Sequence, residues 1–368
     1  MNILDYLDWR GDILFSERGL NEIDNLIFST LAYTKMEGLI SEDDEKKLTI
    51  FELYEEYVKA GYDQSMMIIN PITLLKKASE ADRYKNVIVR NYVNKIDTEM
   101  KLQFSAVTFE LGKEFYIAYR GTDNTLVGWR EDCNLSYLDR TPGQFEAVRY
   151  LNEIAGKSDN SLTVGGHSKG GNFAVYAGSF CDEEVKERII RIYSNDGPGF
   201  NDTVANSSEY LSVIPKTEHI ITDSSIVGML LSSKTKKKII KSSAMGLDQH
   251  DPYTWNVKCT EFEKAEGLST ASVFMDNAIT IWINSLSDDN KRVFVNTVFD
   301  FLENSGAKTL NDIADKKWEV YNSVLKAMTQ MNNEKKLELG FTVKKFFDAG
   351  RDAIINFNNN DQNKKLLP

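Results

Sequence analysis

Residues 162–178, LTVGGHSKGGNFAVYAG, constrain this chain more than any other segment. An apolar run of strand type leads into Gly166-His167-Ser168-Lys169-Gly170, and an amphipathic helical pattern follows at once. G-x-S-x-G alone is common by chance. Between a strand and a helix it predicts a tight turn that strains the serine backbone and lifts its hydroxyl clear of a sheet. The helix N-terminus just beyond would offer N–H groups and a positive dipole end to a developing oxyanion. The run lacks the spacing of a P-loop or dinucleotide fingerprint, which sets a phosphate-binding turn aside. Ser168 is therefore the candidate nucleophile.

The texture around this segment changes along the chain. Residues 1–84 read as a helical N-terminal segment packing on the core: 21–35 place Ile23, Leu26, Ile27, Thr30 and Leu31 on one face, and 42–60 are charged and amphipathic. Residues 85–260 read as the catalytic core, with strands expected at 87–93, 104–109, 115–119, 161–164, 189–194, 220–222 and 238–242, and helices at 144–155 and 168–180. Later strands alternating with helices imply parallel βαβ units and a sheet covered on both faces. Residues 261–356 read as a C-terminal helical region, with helices at 272–286, 291–305, 309–328 and 334–356, followed by a flexible tail at 357–368. The apolar group Met66-Met67-Ile68-Ile69 reads as core.

Composition removes several function classes. With 44 basic against 55 acidic residues the net charge is −11, so nucleic acid is not an expected partner. The opening MNILDYLDWRGD does not read as a secretory signal, and no apolar stretch approaches the ~20 residues of a membrane span. Cys133, Cys181 and Cys259 are too scattered for a disulfide framework or metal cluster; buried thiols in a reducing cytoplasm are the expectation. Lys234, Lys236, Lys237, Lys238 and Lys241 form one basic run, read mainly as a solvated hairpin and otherwise as a transient membrane-surface contact.

A serine nucleophile needs a base, and the chain has only His167, His219 and His250. His167 adjoins the serine on the turn and points elsewhere. The order Ser, acid, His leaves two sets: Ser168–Asp223–His250 and Ser168–Asp196–His219. Asp223 ends a strand and His250 lies in the loop after the next, at the C-terminal edge where sites of parallel sheets gather. His219 begins a strand, at the opposite edge. Asp223 and His250 are favoured, with Asp196 and His219 as the alternative acid and base. Upstream, Tyr119-Arg120-Gly121-Thr122-Asp123 ends a strand and turns, so the Thr122 N–H can join the Lys169 N–H as oxyanion donors. Asp123 and Asp132 read as structural caps.

These motifs resemble a known family in order. FYIAYRGTDNTLVGWRED at 115–132 resembles the F-R-G-T…W-x-x-D segment of class-3, fungal-type lipases, GGHSKGGNFA their nucleophile elbow, HIITDSSIVGML at 219–230 their acid segment, and Gln249-His250-Asp251 their base. DYLDWRGDILFSERGLNEID at 5–24 and SNDGPGF at 194–200 are closer to the bacterial Mbeg-like group of lipase-like proteins. The resemblance implies an α/β-hydrolase fold with a mostly parallel sheet, and Thr122 and Lys169 at the oxyanion hole. The expected activity is carboxylic ester hydrolysis through an acyl-enzyme, with no metal or organic cofactor. The alternatives are a thioesterase, amidase or peptidase with the same triad, or a non-catalytic binding protein on the fold. The short loop after Thr122, with Leu126 and Val127, and the apolar residues 226–231 predict a pocket for short-to-medium acyl chains.

Overall fold

A computed structural model describes residues 1–62 and 69–309, with a few isolated positions between 312 and 348. The eight strands of the main sheet lie side by side in chain order: β1 (Leu48–Thr49), β2 (Ile88–Asp97), β3 (Leu102–Leu111), β4 (Glu114–Tyr119), β5 (Ser161–His167), β6 (Ile189–Asn195), β7 (Thr217–Thr222) and β8 (Lys237–Ile240). β1 to β4 pair antiparallel, whereas β4 to β8 run parallel. With helices on both faces, this mostly parallel sheet is an α/β-hydrolase fold.

Chain order fixes the geometry of function. Parallel strands send every crossover back over a face, so all their C-terminal ends open at one edge. The loops after β4, β5, β6 and β7 therefore meet there, and they carry Thr122, Ser168, Asp196 and Asp223.

One face is covered by the N-terminal helices α1 (Ile3–Arg10), α2 (Glu22–Leu31) and α3 (Ile50–Ala60). The helix starting at residue 42 is replaced by turns and β1, because Thr49 and Glu52 form a capping box that starts α3 at Ile50. All ten residues of α2 are buried, not one face only, since α1 and the small hairpin of β9 (Val257–Lys258) and β10 (Glu261–Phe262) cover its outer side. That burial requires polar partners: Asp24 takes Arg83 through Nε at 2.9 Å and Nη2 at 2.6 Å, and Asn25 donates to Asn195 at 2.9 Å.

The other face carries α4 (Leu126–Asn134), α5 (Pro142–Ala155) and α6 (Lys169–Phe180). The segment after Thr122 is thus a helix where a short loop was expected; Thr125 caps it through Gly128 N. The C-terminal helices α7 (Thr270–Asn284) and α8 (Asp288–Asn304) follow, and Val295 and Phe299 of α8 pack on Leu126. The helices expected at 309–328 and 334–356, the tail and residues 66–68 lie outside the described residues, while Ile69 is buried. Cys181 is buried, but Cys133 and Cys259 are exposed, against the expectation for thiols. Among the described residues no helix is long and apolar enough to cross a membrane.

Candidate active site

Ser168 sits between β5 and α6 with φ 59° and ψ −132°, a conformation that costs a non-glycine residue about 1–3 kcal/mol. The surroundings enforce it. The Ser168 N–H donates to Asn195 O at 2.9 Å, and the Gly171 N–H to Ser168 O at 2.8 Å. A Cβ on Gly166 would overlap the Gly170 carbonyl, and one on Gly170 would overlap the Tyr119 carbonyl. Both glycines of G-x-S-x-G are therefore required by close backbone approach.

Asp196 follows β6 with φ 51°, its N–H held by Ile220 O at 2.7 Å. Its Oδ2 accepts from His250 Nδ1 at 2.6 Å and its Oδ1 from the Ser225 hydroxyl. Burial would raise this carboxyl, but the bonds from His250 and Ser225 and the charge attraction of the His250 ring outweigh it, leaving Asp196 below the ordinary carboxylate value. The favoured acid was Asp223, and the structure separates it from His250. Asp223 Oδ1 accepts from Gln249 Nε2 at 3.0 Å instead. Both acids end neighbouring parallel strands, so strand-end logic could not choose between them; the 3-10 turn Gly246–His250 gives Gln249 to the nearer strand end and His250 to the next.

His219 does not enter the site as a base. It lies on β7 beside Ser194, buried, with Nε2 donating to Gly197 O at 3.0 Å. Burial, then the nearby Lys237 charge, lower it to about 4, so it is neutral at neutral pH and props the turn that carries Asp196.

His167 has a positioning arrangement that sequence reasoning missed. Its Nε2–H donates to His250 O at 2.8 Å, and its Nδ1 accepts from the Tyr33 hydroxyl at 3.2 Å. The His167 and His250 rings lie 4.6 Å apart. Burial, reinforced by His250, lowers His167 to about 3, which keeps it the neutral tautomer that this chain of bonds needs. With His250 Nδ1–H given to Asp196, His250 Nε2 is left to take a proton.

The other flank is built by β4 and α4. Gly121 is pressed so close to Ser168 that a Cβ there would come 3.0 Å from the serine Cβ. Thr122 Oγ1 donates to Asp132 Oδ2 at 2.5 Å. The Lys169 ammonium is buried against Glu131 at 3.1 Å and Gln103 Oε1 at 2.6 Å, and Glu131 accepts from Gly143 N at 2.6 Å. Asp132 is raised to about 6, chiefly by burial, against the lowering effect of Lys169. Asp123 does cap locally, accepting from Thr125 N at 2.9 Å. Glu131 was not singled out from sequence. Its signal was a lysine placed at the first turn of a helix that must lie on the sheet, where a buried cation needs an acid.

A cavity of about 510 Å³ adjoins Thr122, Ser168, Lys169 and His250, within the ~300–1,000 Å³ typical of ligand pockets. Leu126 faces α8 instead, and much of the cavity's apolar lining comes from α7 and α8. Among the described residues no group of three or more His, Cys, Asp or Glu is placed to hold a metal ion. In the basic run, Lys238 pairs with Glu22, Lys241 with Glu263 at 2.8 Å, and Lys237 is half-buried beside Met229.

Residues 78–300 match the family described as Mbeg1-like. Among solved structures, the Rhizomucor miehei lipase propeptide complex aligns at 12% identity over 59% of this chain and 66% of its own length, with TM-score 0.37. M37 lipase aligns at 15% identity over 55% and 68%, with TM-score 0.35. Lip2 lipase from Yarrowia lipolytica aligns at 15% identity over 50% and 73%, with TM-score 0.30. The chain thus spans just under two thirds of the first of these. No curated protein matches it.

Proposed function

The chain belongs to the Mbeg1-like family, and we propose that it is a serine hydrolase of carboxylic esters working through Ser168, His250 and Asp196. The observation that carries this reading is the strained Ser168 on its turn, sharing one cavity with a histidine bonded to a buried carboxylate at 2.6 Å.

Ser168 Oγ attacks the ester carbonyl carbon as its proton passes to His250 Nε2. The carbonyl oxygen becomes an oxyanion, stabilised by the Thr122 and Lys169 N–H groups. Collapse expels the alcohol, which leaves with the proton from His250. Water then attacks the acyl-serine, gives its proton to His250, and the acid departs as the proton returns to Ser168. Asp196 remains ionised throughout, holding the ring and balancing its charge.

Labelling by a fluorophosphonate probe tests the reading. Wild-type protein should label at Ser168, and folded Ser168→Ala should neither label nor hydrolyse acyl esters, with turnover down by roughly 10³–10⁶. A folded wild-type protein that fails to label would turn the reading to a binding protein on a hydrolase fold.

A further inference from the structure

The cavity beside Ser168 has walls of two kinds. The wall toward the sheet carries the reacting groups, with Val227, Leu230 and Leu231 beside them. The facing wall comes from α7 and α8, which stand outside the sheet. On α7 the residues that reach it are Ile279, Trp282 and Ile283, spaced i, i+3 and i+4, which is one stripe of a helix, and Leu286 just beyond its end continues the line. Such a stripe ordinarily packs on a core. Here it faces the cavity, and the first three of these side chains remain partly exposed. The Trp282 ring meets Phe294 of α8 edge-on, with centroids 5.6 Å apart and planes at 87°, so the two helices are locked together at this wall. α8 is held by Val295 and Phe299 against Leu126, with Val295 also reaching the cavity.

We propose that this stripe is the acyl-chain wall of the site, and that Trp282 and Ile283 set the chain length it accepts. The inference rests on the serine hydrolase reading for the placement of the ester carbonyl at Ser168. The occupant is one unbranched aliphatic chain. A wall made mainly of apolar side chains selects an apolar ligand part, and the same cavity reaches the reacting serine. Its volume of about 510 Å³ has room for on the order of ten methylenes or more, each comparable in size to the ~30 Å³ share of a water molecule. This is longer than the residues after Thr122 and Asp223 alone would accommodate. The wall is supplied by helices distant in sequence from every motif of the site.

The test separates the wall from the chemistry. In Ser168→Ala protein, displacement of a fluorescent fatty acid by octanoate, decanoate, laurate, myristate and palmitate reads affinity against length. Affinity should rise about fourfold per added methylene until the cavity is full, then level off. Ile283→Trp, which fills the cavity, should move the plateau to shorter acids, and Trp282→Ala, which enlarges it, to longer ones. With Ser168 intact, the optimum acyl length for kcat/KM should shift the same way, and each variant should still label with fluorophosphonate at Ser168. Circular dichroism checks that each variant is folded. A plateau that stays put in both folded variants overturns the wall. A wild-type protein that fails to label while the plateau still moves overturns the hydrolase reading and leaves the wall standing.

Discussion

The two flanks of Ser168 are held by different physics. On the base flank, His250 is fixed by groups that are neutral or satisfied in place: the Asp196 carboxylate, the neutral His167 ring and the Tyr33 hydroxyl behind it. This flank is anchored in the N-terminal cover, since Tyr33 follows α2 and Asn25 of α2 bonds Asn195, the residue before Asp196. On the flank proposed to bind the oxyanion, Lys169 and Thr122 are gripped by adjacent acids of one helix, Glu131 for Lys169 and Asp132 for Thr122. That helix is tied to α8 through Arg130, which pairs with Asp300 at 2.9 Å and Glu303 at 3.2 Å. The base flank thus belongs to the permanent core. The oxyanion flank is linked to α8 through charged side chains, whereas α7 reaches the base flank through the Ser272 hydroxyl, which donates to the carbonyl of Ser225, the residue whose hydroxyl bonds Asp196.

The largest effect that can break this comparison lies on the base flank. Asp196→Asn keeps the shape but removes the charge that orients His250, and kcat should fall on the order of 10⁴-fold, as for the acid of other such triads. Asp223→Asn should change kcat only a few-fold, through a looser Gln249. Steady-state kinetics of the two purified variants decides. A deep loss in Asp223→Asn with activity retained in Asp196→Asn would mean that the acid assignment is inverted.

On the oxyanion flank the effect should fall on stability before chemistry. Lys169→Met leaves Glu131 charged and buried without its cation, which should cost about 3–5 kcal/mol. The backbone donor of residue 169 stays, so kcat should drop well short of the ~10²–10³ that follows loss of a donor, with KM little changed. Adding Glu131→Gln removes the stranded charge, and the double variant should recover much of the lost stability in denaturant melts. If the two substitutions simply add, the pair does not act as a unit and the grip on the donor lies elsewhere.

How much of this could be read in advance follows from the range of each interaction. The strained turn at Ser168 was legible because its determinants are local: two glycines, a strand before and a helix after. The parallel strands were legible as short β-branched and aromatic runs. The carboxylate that His250 meets was not, because Asp196 and Asp223 have the same local signature, each at the end of a β-strand, and only the path of the turn carrying His250 separates them. Treating each acid and histidine as a fixed pair hid the crossed set of Asp196 with His250, although it obeys the same chain order. The role of His167 was hidden for a similar reason, since its partner carbonyl is 83 positions away. α7 and α8 were legible as helices, but nothing in their periodicity says that the apolar stripe faces a cavity rather than a core.

The smallest expected effect, and the one that sets the two flanks directly against each other, is the acid dependence of stability. His167 and His219 sit at about 3 and about 4 in the folded state, below the ordinary 6.5, because burial disfavours their charged forms. Between pH 6 and 4 the unfolded chain holds a proton on both and the folded chain on neither, so acid draws the protein toward unfolding. Asp132 on the oxyanion flank works in the opposite sense. Raised from 3.8 to about 6, it takes up a proton in the folded state over the same window while the unfolded chain does not, and its contribution is lost as pH rises through 6. Of these three groups, two protons favour the unfolded state and one the folded. Their net effect is a fall of about 1.4 kcal/mol per pH unit on acidification across this window. Asp132→Asn removes the opposing group and should make the fall steeper, toward twice that slope. His219→Gln removes one favouring group and should make the fall shallower than in the wild type by about 1.4 kcal/mol per pH unit, without the loss of turnover expected from Asp196→Asn. Denaturant midpoints measured from pH 6 to pH 4 in the three proteins read these slopes. A slope in Asp132→Asn no steeper than in the wild type would mean that the oxyanion flank holds its charge through the window, and that the opposition between the flanks is not electrostatic.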